Sequence, residues 1–238
     1  MPVAPRAVAD LITVMVDGVL LDWEGVLADT GQARRDSMLA ALADEGVHFD
    51  AAAYDECCLG LSVQEAASVA VGAADPTLLE LVTLRARRAF GARMSQGVSL
   101  QPGATHFLQL VQLRAATAIV SEARRSETEF ALRLAGLLDA CAAVVTADEV
   151  RGEVPSAAQL ELALAQLARR RPTRRDRVVA LVSTRAAIRA ARAAGIRSIA
   201  VGAAAHVALE ADGAIASLVG ITIDDLVALA GIVSERRA

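Results

Sequence analysis

The chain has 238 residues, 55% hydrophobic and 22% charged, with aromatics at 3% and a formal net charge of -4. A chain of that length buries a sizeable core as one domain or two small ones, and that composition excludes intrinsic disorder. The scarcity of aromatics and the negative balance exclude a base-stacking surface and any general pull toward nucleic acid or an acidic membrane. Residues 12–22, ITVMVDGVLLD, read as a buried strand, or as two short pieces broken at Gly18. Residues 31–97 carry helical periodicity only: GQARRDSMLAALADEG stopping at Gly46, then SVQEAASVAVGA, then PTLLELVTLRARRAF. From Gly97 the pattern changes to alternation. Strands are expected at 116–121, 141–146, 177–183 and 197–202. Helices are expected from Pro102-Gly103 to about Leu113, up to Ala135, over Ala157–Arg170, over Arg185–Ala194 and over Asp224–Leu229.

Alternating strands and helices imply a doubly wound parallel α/β sheet covered on both faces. Residues 1–30 and 98–238 form that core, and residues 31–97 form an inserted α-helical cap. All 24 basic residues are arginine, which removes any mechanism built on a lysine ammonium. Cys57, Cys58 and Cys141 have no framework or metal spacing, so neither a disulfide scaffold nor a zinc site is expected, and a reducing cytoplasm is. Asp10, Asp17 and Asp22 interrupt the apolar N-terminal stretch, so neither a membrane span nor a signal peptide is expected. Arg169, Arg170, Arg171, Arg174 and Arg175 read as a solvated helix end and turn.

Sites in open α/β sheets form at the carboxyl ends of strands. The first strand ends at Asp22, with Glu24 two residues on and Gly25 free to turn the backbone. Two carboxylates so spaced serve as nucleophile and acid/base, hold a hard cation, or simply decorate a turn. Between them Trp23 either shields the site or packs. Cys57-Cys58 reads as buried thiols, with a vicinal disulfide as the alternative, and His48, His106 and His206 are scattered without metal spacing.

LLDWEGVLADT resembles the first motif of the haloacid dehalogenase superfamily, whose usual form is DxDGT/VLxDS/T. TAIVSEARR is similar to its second motif, VVTADEVRGEVPSAAQ to its third, and VVALVSTRAAIRAARAAGIRSIAVG to its fourth. The resemblance covers nearly the whole chain in order and is nearest to the β-phosphoglucomutase and phosphoglycolate phosphatase branch. It implies a Rossmann-like fold with a helical cap entering at residue 31. It also implies Asp22 as nucleophile, Glu24 as acid/base, Ser121 as the phosphate-binding hydroxyl, and Gly60 with Ser62 near the substrate in the cap. Asp22 and Glu24 would carry Mg²⁺.

Three positions depart from the pattern. Glu153 stands where the family has a lysine, and Val182 and Ser183 stand where it has an acidic pair that completes the magnesium site. Arg151, Arg124 and Arg125 are the candidates for a compensating cation, and Glu153 for a substitute metal ligand. Phosphoryl transfer depends on positioning and charge stabilisation, so these changes together point to a pseudoenzyme that binds a ligand or protein partner. The alternative is an active Mg²⁺-dependent phosphatase or phosphomutase on a small phosphorylated metabolite. A metal-independent hydrolase of the dehalogenase kind is a third, weaker reading. Asp22, Glu24, Ser121, Glu153 and Ser183 are expected to converge at the carboxyl edge of the sheet.

Overall fold

The computed structural model describes residues 16–59, 61–72 and 75–232. Six strands form one parallel sheet: β1 (Gly18–Asp22), β2 (Ala116–Val120), β3 (Ala143–Val145), β4 (Val178–Val182), β5 (Arg197–Val201) and β6 (Gly213–Ile215). Their order is β3-β2-β1-β4-β5-β6. The chain therefore steps from β1 to β2 on one side and later to β4 on the other. β1 is the switch point, where α/β sheets open a crevice. Asp22 pairs in register with Val120, and Leu21 with both Ile119 and Leu181, which brings three strand ends together at this crevice.

The alternation along β1 sorts its side chains between two cores. Val19 and Leu21 join Phe107, Leu108, Leu132 and Leu226 on one face. Leu20 joins Leu160, Leu164, Leu167 and Ile188 on the other. The second face is covered by α7 (Ala157–Arg170) and α8 (Arg185–Ala193). The first is covered by α5 (Ala104–Val111), α6 (Arg125–Leu134) and α10 (Ile223–Leu229). Trp23 is fully buried in the first core, so it packs rather than shielding the site from solvent.

Four helices lie between β1 and α5: α1 (Gly31–Asp44), α2 (Ala51–Cys57), α3 (Val63–Val71) and α4 (Pro76–Met94). They share a third hydrophobic cluster of their own, including Met38, Leu42, Tyr54, Cys58, Ala67 and Val82. Start signals are local: Asp50, Ser62 and Asp75 each accept a hydrogen bond from a first-turn amide. Cys57 and Cys58 are free thiols, the first exposed and the second buried, where burial pushes its pKa up to about 11.

Two expectations shift. Gly18 begins β1 instead of breaking it, and residues 12–15 lie outside the described residues. The periodicity gave no sign of β6 or of α9 (Ala205–Ala208), which are three and four residues long. No helix among the described residues is long and apolar enough to cross a membrane.

Candidate active site

Asp22 and Glu24 flank the buried Trp23 at the end of β1. Ser121 follows β2 directly, and the Ser121 amide bonds the Val145 carbonyl of β3. Ser183 follows β4, and its hydroxyl donates to the Glu24 carbonyl at 3.1 Å. Gly25 makes that approach possible. Its φ is +82°, and a Cβ there would lie 2.4 Å from Ser183 Oγ. These strand ends thus assemble around Glu24.

The Glu24 side chain is 4% exposed and already committed. One carboxyl oxygen accepts from Ser121 Oγ at 2.6 Å and the other from the Glu122 amide at 3.2 Å. The Ser121 oxygen in turn accepts from the Ala123 amide at 3.1 Å and the Thr128 hydroxyl at 2.9 Å. Gln159, fully buried, fixes the Ser121 carbonyl at 3.0 Å. The hydroxyl that the resemblance assigns to phosphate therefore donates its only proton to Glu24, and two donors already occupy its lone pairs.

Two charged residues here escaped the sequence reading. Arg34, from the first turn of α1, pairs with Glu122 at 2.9 Å; their side chains are 14% and 12% exposed. The Arg34 guanidinium also lies 5.3 Å from the centre of the Phe90 ring. Burial opposes the charge on Arg34, but Glu122 and Glu24 overcome it and hold the proton more firmly than usual. Burial raises Asp22 well above the ordinary carboxylate range, and Glu122 and Glu24 raise it further, against Arg34 and the Ser183 amide. Burial likewise raises Glu24, with Glu122 adding and Arg34 and Ser121 opposing. Like charges in a dry crevice favour retained protons.

Glu153 sits elsewhere. It is exposed, and it accepts a hydrogen bond from Ser62 Oγ at 2.7 Å. Ser62 caps α3 in a reciprocal box with Glu65, and Glu65 pairs with Arg189 of α8. Glu153 thus ties the helical segment to the sheet domain, and the third carboxylate acting on Asp22 is Glu122. Arg151 and Arg124 are exposed. Arg125 is spent on Glu129, Glu149 and the Val144 carbonyl. The cation that acts on Asp22 and Glu24 in this crevice is Arg34. Val182 is buried and apolar, and Gly60 lies outside the described residues. Because Glu153 is exposed and its partner is a hydroxyl that a lysine can also engage, Glu153→Lys is expected to change stability by less than ~1 kcal/mol. It should leave the Asp22 crevice unaltered, which chemical denaturation and amide chemical shifts at Ser121 will check.

A divalent cation of the magnesium kind needs a near-octahedral set of oxygens with one or more free carboxylates. Here both Glu24 oxygens are engaged, burial and the neighbouring carboxylates raise Asp22 above the ordinary carboxylate range, and Ser183 points its proton at a carbonyl. No group of three metal-ligating side chains occurs among the described residues. This donor set does not fit that ion.

The family model described as haloacid dehalogenase-like hydrolase matches residues 19–201. The chain belongs to that family. Solved structures share the fold of this haloacid dehalogenase-like chain. CbbY from Rhodobacter sphaeroides, in complex with phosphate, is 22% identical with a TM-score of 0.69, covering 89% of this chain and 99% of its own. A β-phosphoglucomutase from Clostridium difficile is 14% identical with a TM-score of 0.70, covering 91% and 98%. A hydrolase from Pseudomonas syringae is 15% identical with a TM-score of 0.68, covering 85% and 94%. Comparison with curated sequences gives no significant match.

Proposed function

We propose that this haloacid dehalogenase-like protein has lost efficient phosphoryl transfer and acts by binding a ligand. The hydrogen bond from Ser121 Oγ to Glu24 at 2.6 Å carries the proposal. A transferring phosphoryl group needs that hydroxyl as a donor, and it needs an ionised Asp22 as nucleophile. The acid next door holds the first, and burial among carboxylates opposes the second. The space lined by Glu24, Arg34, Tyr54 and Ser183 is about 110 Å³. That is room for three or four waters at ~30 Å³ each.

The decisive assay is hydrolysis of p-nitrophenyl phosphate and of a panel of phosphorylated metabolites, with and without Mg²⁺. Wild type and Asp22→Asn are expected to give the same background rate. Turnover that Asp22→Asn abolishes would replace this proposal with an active phosphatase or phosphomutase.

A further inference from the structure

Beside the crevice around Glu24 lies a wider cleft, about 440 Å³ in volume. That size lies within the ~300–1,000 Å³ of ordinary small-molecule sites. The cleft shares Gly25 and Ser183 with the crevice, then runs past the carboxyl ends of β5 and β6. Its wall is apolar: Val201, Ala203, Val207 and Leu218, with Leu59, half exposed, at the lip.

The polar groups in this cleft are few, and none carries a positive charge. Among the described residues no arginine or histidine lines it, and the chain has no lysine. Its one ionisable residue is Asp29, whose carboxylate has no hydrogen bond or ion pair among the described residues. Gln101 and Ser217 line the same cleft. The Ser217 oxygen accepts from the Val219 amide at 3.3 Å, which leaves its proton to donate. The Asp29 carboxylate is exposed and available to a cation entering the cleft.

We propose that this cleft binds a small organic ammonium, with its charged nitrogen on Asp29 and its apolar body against Val201, Val207 and Leu218. A phosphorylated compound is the wrong chemistry for it, because the only charge present repels phosphate. The proposal rests on the preceding one in taking the protein to work by binding, and it names the class of ligand.

The test follows amide shifts of Gly202, Ala203 and Ser217 by NMR while benzylammonium, benzyl alcohol or benzyl phosphate is added to the full chain. Benzylammonium is expected to shift these amides, and benzyl phosphate to leave them unmoved. Asp29 is exposed, so Asp29→Asn should weaken benzylammonium about fivefold, or ~1 kcal/mol at 1.4 kcal/mol per tenfold. Ala216→Trp, at an exposed position that projects bulk into the cleft, should abolish the shifts while leaving the fold intact. Three results would each overturn the proposal: unmoved amides at millimolar benzylammonium, benzyl alcohol or benzyl phosphate binding as tightly, or Asp29→Asn binding unchanged. Failure of the two proposals is separable, because Asp22-dependent turnover ends the earlier one and unmoved amides end this one.

Discussion

Replacing Arg34 with methionine is expected to cost ~3–5 kcal/mol at neutral pH, the usual price of removing one partner from a buried ion pair. For a chain of this size that is a fall in Tm of roughly 10 °C. Methionine keeps most of the packing over Phe90, so the loss reports charge: Asp22, Glu24 and Glu122 are left without their cation. The pH dependence follows from the raised carboxyls. Asp22 and Glu24 hold protons in the folded state more tightly than in the unfolded chain, where carboxyls titrate near ~4. Their contribution to stability is therefore complete below that value and is lost as pH rises through the raised folded pKa values. Arg34 limits the rise, so its removal widens that window and steepens the loss. Urea unfolding of wild type and Arg34→Met at acid and mildly alkaline pH will measure this. The deficit should shrink in acid, and a deficit independent of pH would mean that Arg34 acts through packing alone.

The double variant Glu24→Gln, Glu122→Gln should gain phosphate affinity by about three orders of magnitude. Two like charges at about 4 Å repel by roughly 4 kcal/mol at an effective dielectric near 20, and 1.4 kcal/mol corresponds to a tenfold change in binding. Removing both carboxylates also frees Arg34, whose planar fork suits a phosphate edge. Wild type is expected to show no phosphate binding at millimolar concentration, and the double variant to be stabilised by phosphate but not by chloride. Calorimetric titration distinguishes these outcomes. Tight binding by wild type would show that the internal carboxylates do not occupy the phosphate seat.

Much of the fold was legible because it rests on local periodicity. The continuous apolar run in RVVALVS places β4, and the apolar spacing in AAQLELALAQLARR gives α7 its residue-for-residue limits. β6 was not legible, since three residues of an edge strand, GAI, set no period. The site divided along the same line. Asp22, Glu24, Ser121 and Ser183 stand at strand ends, where the motif pattern leads. Arg34 and Glu122 are 88 residues apart and Ser62 and Glu153 are 91 apart, and no spacing rule joins such pairs. Two hints were available: Glu122 directly follows the motif serine, and a chain lacking lysine must draw its buried cation from arginine.

The bonds around Glu24 also bear on descent. Ser121 is satisfied by Glu24, Ser183 by the Glu24 backbone, and Glu153 by Ser62. Glu153 and Ser183, two of the three departures from the family pattern, thus each have a hydrogen-bond partner of their own. Larger residues at 183 must also share space with Gly25, whose missing Cβ is what admits the present hydroxyl. An acid restored at 183 alone therefore loses the bond to the Glu24 carbonyl before the rest of the family's set returns. On the proposed function, this makes the change a ratchet: relatives that share the Glu24, Glu122 and Arg34 triad should retain it together or lose it together.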